Sequence, residues 1–446
     1  MPKEMRHFLR YGTHSEKDFF LEETEVNSYD AAIVNANMLA YTPKAMSAFA
    51  LRLNKPFFID PQTHAFQHGF EYITNKNGVP KQSIKNLATS YGGAILSALE
   101  NSGSVSLEDF SSEEAKKNLV KNVLEFQRDT VHNIVTTGSE AEYVTFALND
   151  EGSGLSRENV TPSGVIAPYF YIDGSNDSAL ELNVAFVEEA KRFLTDGGPM
   201  LIAQLVMSKD ALANDSFRKK IISAYASCSA KKVFIWIDAF DETEVSESLL
   251  QSLKSLIEGV ASSKEVVNLY GGYFSILLTK IENGLEGVCH GMEYGESRAV
   301  VPVGGGLSRA KYYFRPLHKR LSAEDFLRII GNRQGWLSGS KNQEFAREVC
   351  DCHICEDLEQ FAETQTYEVK SKNGSRRGET STSAAKRHSL AHYLVSKKKE
   401  FEFVEKSDMA SLLKDLGDAK TKYAQSAGDS NANHIDRWIK VLTPGA

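Results

Sequence analysis

Residues 233–238 read VFIWID, an apolar run of five residues that ends in a carboxylate. A continuous run, without alternation of apolar and polar residues, indicates a strand buried on both faces, as in a parallel sheet covered by helices. This run starts at residue 232, and other runs predict strands at residues 31–35, 56–60, 165–173, 200–207, 266–269 and 287–290. The sheet is therefore expected to be parallel.

Helix-like segments alternate with these runs, at residues 116–126, 179–194, 215–226 and 247–260. Repeated strand–helix units over so long a stretch favour an α/β TIM (β/α)8 barrel over an open, doubly wound sheet. No GxGxxG follows an early strand and GxxxxGK[ST] does not occur, which argues against the two commonest nucleotide-binding folds.

The predicted organisation has four parts. Residues 1–45 form an N-terminal segment of undefined role, residues 46–330 the barrel, residues 331–400 a zinc-binding subdomain and residues 401–446 a C-terminal helical segment. Residues 74–115 are expected to be a long excursion, and residues 371–385 have the composition of a flexible loop.

The composition is that of an ordinary globular protein, with 41% hydrophobic and 25% charged residues. With a net charge of −8, the chain as a whole is not a polyanion binder. Basic residues nevertheless concentrate between Lys370 and Lys399, either as a solvated face or as a local contact with nucleic acid. Without a signal peptide or a membrane span, the expected location is cytoplasmic.

Three of the five cysteines, Cys350, Cys352 and Cys355, lie within six residues. This spacing favours one tetrahedral metal ion over a disulfide framework. The fourth ligand is predicted to be His388, with His392 as the runner-up, since both lie on one face of a probable helix. Four protein ligands leave no position for water, so the expected Zn²⁺ is structural.

The sequence VCDCHIC followed by HSL resembles the zinc subdomain of the tRNA-guanine transglycosylases, the queuine and archaeosine tRNA-ribosyltransferases. Their DNA-modifying relatives, which insert 7-deazaguanines into DNA, are a second branch of this resemblance. It implies a TIM barrel whose zinc site lies near the C-terminal end. It also implies exchange of guanine for a 7-deazaguanine base in DNA or tRNA. The gap between Cys355 and His388 is longer than is usual in the family.

Two barrel segments extend the resemblance. FFIDPQTHAFQ is similar in outline to the family's D-S-G-G-F-Q motif, without its glycines, which implies that Asp60 recognises the base or acts as a general base. PMLIAQLV resembles the strand whose glutamine contacts the flipped base, here Gln204, and Asp173 would be the acidic residue on the preceding strand. Asp238, which ends VFIWID, would lie at the same rim as a site carboxylate or as part of a helix start.

The family's nucleophile is an aspartate after a late strand, but the corresponding region, GLEGVCHGMEYGESRAVVPVGGG, has none. Glu293 or Glu296 could replace it, and His290 could orient or protonate a group. Arg298, beside glycines, would suit a phosphate. The alternative is a catalytically inactive barrel that binds nucleic acid or a nucleoside within a larger complex. Homo- or hetero-oligomers are compatible with either function.

Overall fold

The structure is a computed structural model, which describes residues 5–13, 16–21, 28–53, 55–68, 72–75, 77–137, 142, 161–194, 197–293, 295–301, 309–331, 342–357, 366–370 and 376–443. An eight-stranded parallel sheet has the order β3-β2-β1-β8-β7-β6-β5-β4. Its strands are β1 Arg6–Tyr11, β2 Ala31–Asn35, β3 Phe57–Asp60, β4 Gly164–Ile166, β5 Met200–Met207, β6 Lys232–Ile237, β7 Glu265–Leu269 and β8 Gly287–Gly291.

The two ends of this sheet, β3 and β4, meet and nearly close a barrel. The amide of Ser163, directly before β4, donates to the carbonyl oxygen of Phe57 in β3 at 2.9 Å. With helices around the closed sheet, the predicted TIM-barrel fold is confirmed. In the described part of the chain, no helix has the length and apolar character needed to cross a membrane.

Helices connect the strands of the barrel. They are α1 Lys17–Leu21, α2 Ala36–Tyr41, α3 Pro43–Arg52, α4 Gln82–Tyr91, α5 Gly93–Ser102, α6 Glu113–Thr137, α7 Ser178–Phe193, α8 Lys209–Ala213, α9 Asp215–Ser227, α10 Glu247–Ala261 and α11 Tyr273–Leu277. Some of these helices start at a side-chain cap: the side chain of Ser246 accepts from the amide of Leu249 at the start of α10, and Asn214 does the same for Phe217 at α9.

Alternate residues of each strand face the barrel interior. Phe8, Phe58 and Phe234 pack together there, with ring centroids 5.7–6.1 Å apart. The residues between them face the surrounding helices and belong to a separate apolar cluster. The interior is therefore a packed core, and its polar side chains lie at the two ends.

The C-terminal part of the chain packs against one side of the barrel. It comprises β9 Lys311–Phe314, β10 Lys319–Ser322, α12 Ala323–Gly331, α13 Asn342–Glu348, β11 Thr366–Lys370, β12 Arg376–Ser381, α14 Ser383–Lys406, α15 Met409–Ala427 and α16 Asn433–Leu442. The indole N–H of Trp438 in α16 donates to the carbonyl oxygen of Glu242, after β6, at 2.9 Å. The last helix is thus joined to the barrel.

Several predicted boundaries differ from the structure. The barrel starts at β1, so residues 1–45 are not a separate segment: they supply two of its strands. Residues 74–115, expected to be a long excursion, contain α4 and α5, and residues 376–381 form β12, although the composition of residues 371–385 suggested a flexible loop. α14 runs through residue 400, so no boundary separates the predicted subdomain from the helices after it. Residues 371–375 lie outside the described residues.

Candidate functional site

The three clustered cysteines and one histidine form a buried group in the C-terminal part. The Sγ atoms of Cys350, Cys352 and Cys355 lie 3.8, 3.4 and 3.2 Å from Nδ1 of His392. All four ligand atoms lie within 4.8 Å of one another. Ligand bonds of about 2.3 Å to sulfur and 2.0 Å to nitrogen put tetrahedral ligand atoms roughly 3.5 Å apart. The group therefore could hold a metal ion.

The ring of His392 is fixed by its surroundings. Its Nε2 lies 2.8 Å from the carbonyl oxygen of Tyr313, and its ring stacks on Tyr312 with centroids 4.2 Å apart. A carbonyl can only accept, so Nε2 carries the proton and Nδ1 presents its lone pair to the thiols.

The structure thus brings His392, the runner-up, and not His388 into this group. The two histidines are one helical turn apart in α14, and the turn that faces the cysteines is the later one. The spacing rule found the right helix face but did not resolve which turn of it meets the thiols.

A second polar group lies inside the barrel at the carboxyl end of the strands, here called the barrel mouth. The guanidinium of Arg10 in β1 forms an ion pair with Asp60, which ends β3, and donates to Asn35 at 2.5 Å. The hydroxyl of Tyr169 donates to the other oxygen of Asp60 at 2.6 Å. Burial alone would raise the pKa of Asp60, but Arg10 outweighs it and holds that pKa below its ordinary value. Asp60 is therefore ionised.

Gln204 lies at the same level of the barrel as Asp60. A Cβ atom added to Gly164 would lie 3.1 Å from Cδ1 of Ile202 and 3.3 Å from Cε1 of Phe58, so these two side chains share one level. Gln204 and Asp60 are each two residues further along their strands and face the same way. Two residues predicted from separate motifs thus lie at one level of the barrel mouth.

Several polar atoms in this mouth are buried and have no hydrogen-bond partner among the described residues. They include both side-chain amide atoms of Gln204 and Nδ1 of His64, whose residues are 2% and 1% exposed. Burial lowers the pKa of His64 to about 3, so this imidazole is neutral near pH 7. Unpaired buried polar atoms are costly, and in native proteins they call for a specific explanation such as a bound ligand.

Aromatic rings surround these atoms. The ring of His64 stacks on that of Tyr169 with centroids 5.2 Å apart. The ring of Trp236 lies nearly perpendicular to the His64 ring, with centroids 5.3 Å apart. The ring centroid of Tyr270 lies 5.0 Å from that of Trp236. Such flat, apolar walls with a few polar atoms suit a planar heterocycle.

Asp238 and Arg298 hold the segment after β8 over the mouth. Asp238 accepts from the amide of Val300 at 2.7 Å and from the hydroxyl of Tyr171 at 3.2 Å. The carbonyl oxygen of Arg298 accepts from the indole of Trp236 at 3.1 Å, and its guanidinium contacts the Tyr270 hydroxyl at 3.1 Å. Asp238 and Arg298, both predicted to bind substrate, thus lie at the mouth, where their hydrogen bonds hold residues 295–301 in place.

Glu296 lies apart from the mouth, in a buried ion network against α14. Its carboxylate pairs with Lys397, which is fully buried and also pairs with Glu400 at 2.8 Å and with the Tyr313 hydroxyl at 2.6 Å. Burial opposes the charge on Glu400, but Lys397 and His318 lower the pKa of this carboxyl to about 2. The predicted nucleophile Glu296 is therefore engaged in holding the C-terminal part to the barrel.

The other predicted residues have different positions. His290 follows the inward-facing Cys289 in β8, so it faces outward, where its Nε2 lies 2.6 Å from Nε2 of His7. That orientation is at odds with a catalytic role inside the barrel. Glu293 is exposed after β8, and its amide donates to Glu16 at 3.0 Å. Asp173 is exposed in a turn and accepts from Ser175, so it does not join Asp60 and Gln204.

The sequence did not single out Arg10, Tyr169 or Tyr270. Arg10 lies in a strand that was not predicted, because RHFLRY interrupts its apolar residues with charges. Once β1 is known, the alternation Phe8, Arg10 marks the arginine as inward-facing. Tyr169 falls within the strand predicted at residues 165–173, but β4 ends at Ile166 and the residues directly after it are irregular, so strand alternation does not give its direction.

A surface cavity of about 400 Å³ lies between α13, α14 and α15, with Arg315, Phe403 and Asp415 among its lining residues. Its mixed charges point to no one ligand.

The chain is thus a TIM barrel with a mouth that carries a buried polar group, and with a C-terminal Cys₃His group. No protein-family model matches the chain, and no curated protein does either.

Proposed function

We propose that the chain is a base-exchange transglycosylase that replaces guanine in tRNA or DNA by a 7-deazaguanine base. The observation that supports this most is that Asp60 and Gln204 share one level of the barrel mouth. In TIM-barrel enzymes the carboxyl end of the strands carries the active site. Both residues were expected there from their resemblance to the base-binding residues of the transglycosylases.

The contacts of the mouth fit an extruded base. The Gln204 amide offers one donor and one acceptor, and the ionised Asp60 accepts. The rings of Tyr169 and Trp236 supply stacking surfaces. A base that entered would pair buried groups that now have no protein partner in the described chain.

In this proposal Glu293 is the nucleophile, because Glu296 is held by Lys397. The Glu293 carboxylate attacks the anomeric carbon, and guanine leaves with the bonding electrons and takes up a proton. The incoming base then loses a proton and displaces the carboxylate from the same carbon. Glu293 follows β8, as the family's nucleophile follows a late strand, and its side chain is exposed.

We further propose that the Cys₃His group binds structural Zn²⁺. Thiolates with one imidazole suit this ion, and four protein ligands leave no coordination position for a reacting water. The metal would hold α14, which carries His392 and Lys397, against the rest of the C-terminal part. Its contribution to the reaction would be structural.

The second candidate function is a catalytically inactive barrel that binds a nucleobase or nucleic acid. One observation favours it: the inward-facing positions at the end of β8 are Cys289 and Gly291, so no carboxylate points into the barrel from this strand. Exposed Glu293 would then have no chemical role.

The deciding experiment incubates the protein with tRNA or duplex DNA and radiolabelled guanine, and measures label in the polymer. We expect incorporation by the wild-type protein and by Glu296→Gln if it folds, and none by Glu293→Gln. Retained binding of a free 7-deazaguanine by Glu293→Gln would place its defect in the chemical step. Base binding without incorporation by the wild-type protein would favour the inactive barrel.

A further inference from the structure

Arg10 has hydrogen-bonding capacity that the fold does not use. Its residue is 2% exposed, and one terminal nitrogen, Nη2, makes the contacts with both Asn35 and Asp60. Nε and Nη1 are buried and have no acceptor in the described ranges of the chain. An ion pair with Asp60 accounts for the charge of Arg10 but not for the N–H hydrogens of these two nitrogens.

Two aromatic rings lie beside the guanidinium of Arg10. Its central carbon lies 5.3 Å from the ring centroid of Tyr270 and 5.9 Å from that of Trp236. Tyr270 has a backbone φ of +58°, a left-handed conformation that is costly for a tyrosine. The ring is therefore held beside Arg10 at some cost in backbone strain.

Arg10 and Gln204 face the barrel interior from strands β1 and β5, which lie opposite each other in a closed eight-stranded sheet. Asp60 belongs to the level of Gln204 and also pairs with Arg10. A planar molecule in the mouth would therefore present one edge to Gln204 and another to the guanidinium.

We propose that Arg10 selects the base by donating an Nη1 hydrogen to a carbonyl oxygen on the ligand edge. This inference rests on the proposed function and adds a residue that determines specificity. An arginine keeps its charge and can only donate hydrogen bonds. A ligand with an amino group in place of the carbonyl oxygen would therefore bring two N–H donors face to face. It would also leave the buried Nη1 unpaired, which is the situation that gives hydrogen-bonding sites their strong discrimination.

The experiment compares 7-deazaguanine with 7-deazaadenine, two bases that differ in the group opposite the proposed donor. Titration calorimetry of the wild-type protein should give a dissociation constant at least about 100-fold lower for 7-deazaguanine. Arg10→Lys keeps a cation opposite Asp60 but has no second nitrogen that could donate to the ligand. We expect the ratio for this variant to fall below about 10-fold, as the selecting contact is removed.

Arg218→Lys is the matched control. Arg218 is also a buried arginine, but it lies on α9 outside the barrel and donates to the carbonyl oxygen of Leu212 at 2.8 Å. Its replacement should leave the ratio of the two dissociation constants as in the wild type.

The outcomes separate this inference from the function on which it rests. Equal affinity of the wild-type protein for the two bases, or an unchanged ratio in a folded Arg10→Lys, would overturn the role of Arg10 and leave base exchange standing. Binding of neither base would remove the proposed function as well. If Arg10→Lys does not fold, Arg10→Gln is titrated in its place, and a ratio kept at the wild-type value in that variant would overturn the role of Arg10.

Discussion

Nε2 of His392 donates a hydrogen bond to the carbonyl oxygen of Tyr313 at 2.8 Å, and this contact decides which histidine belongs to the cysteine group. Because one ring nitrogen is bound to the strand β9, the other is turned toward the three thiols. Such partners behind a ligand fix its tautomer and orientation. The tyrosine carbonyl thus orients the imidazole of a group that could hold a metal ion.

Replacing His392 should therefore remove the metal. We expect elemental analysis to find one zinc ion per chain in the wild type and in His388→Ala, and much less in His392→Ala. The unfolding midpoint of His392→Ala should also fall, because metal binding to a folded site stabilises the fold. Equal loss of zinc in both histidine variants would contradict the assignment of His392 as the single nitrogen ligand.

Gln204→Leu should abolish base binding without lowering stability. The Gln204 amide is buried without a partner in the described chain, so leucine removes a cost of about 1–3 kcal/mol. Urea unfolding of the free protein should show an equal or higher free energy of unfolding, and calorimetry should show no binding of 7-deazaguanine.

Gln127→Leu provides the matched control for this prediction. Gln127 is also fully buried, but its amide donates to the carbonyl oxygen of Ile166 at 2.8 Å and accepts from the Ile166 amide at 2.9 Å. This variant should lose about 1–3 kcal/mol, because the backbone groups of β4 lose their partners. A loss of stability in Gln204→Leu as large as in Gln127→Leu would mean that Gln204 is a structural residue.

Lys397→Met should destabilise the protein by about 3–5 kcal/mol, because it leaves the buried carboxylates of Glu296 and Glu400 without their cation. Lys399→Met, two residues along the same helix, removes the exposed ion pair with Asp351 and should cost less than about 1 kcal/mol. Urea denaturation of the two variants measures the difference. Similar values would show that the Lys397 network contributes little.

Stability should fall as the pH drops from about 6.5 to about 3. Burial lowers the pKa of His7, His64 and His434 each to about 3, from 6.5 for an exposed histidine. In this window the unfolded chain binds protons that the folded chain does not, so stability rises with pH. Each histidine contributes roughly 1.4 kcal/mol per pH unit.

Urea unfolding at pH 5 and pH 6, with zinc in excess, tests this dependence. His434→Asn should reduce the slope of the free energy of unfolding against pH by the contribution of one histidine. Any effect of the metal is common to the variant and the wild type. An identical slope in the variant would mean that His434 is not buried in its neutral form.

The sequence predicted the barrel because its central strands, such as residues 232–238, are continuous apolar runs. It missed β1, where charges interrupt the run, and with β1 it missed Arg10. Asp60 and Gln204 were found from motifs, but their shared level depends on strand register, which a single sequence does not give. The outward orientation of His290 could not be predicted for the same reason: a shift of one residue turns a side chain to the other face.

The segment 295–301 has a kinetic consequence. At one end Glu296 forms an ion pair with Lys397, and at the other the amide of Val300 donates to Asp238. Between them the guanidinium of Arg298 contacts the hydroxyl of Tyr270. The candidate site beneath it is almost fully buried, so these contacts must break before a base can enter. Association would then reach a ceiling at high ligand concentration, set by how often the segment opens, and substitutions at Asp238 would raise that ceiling.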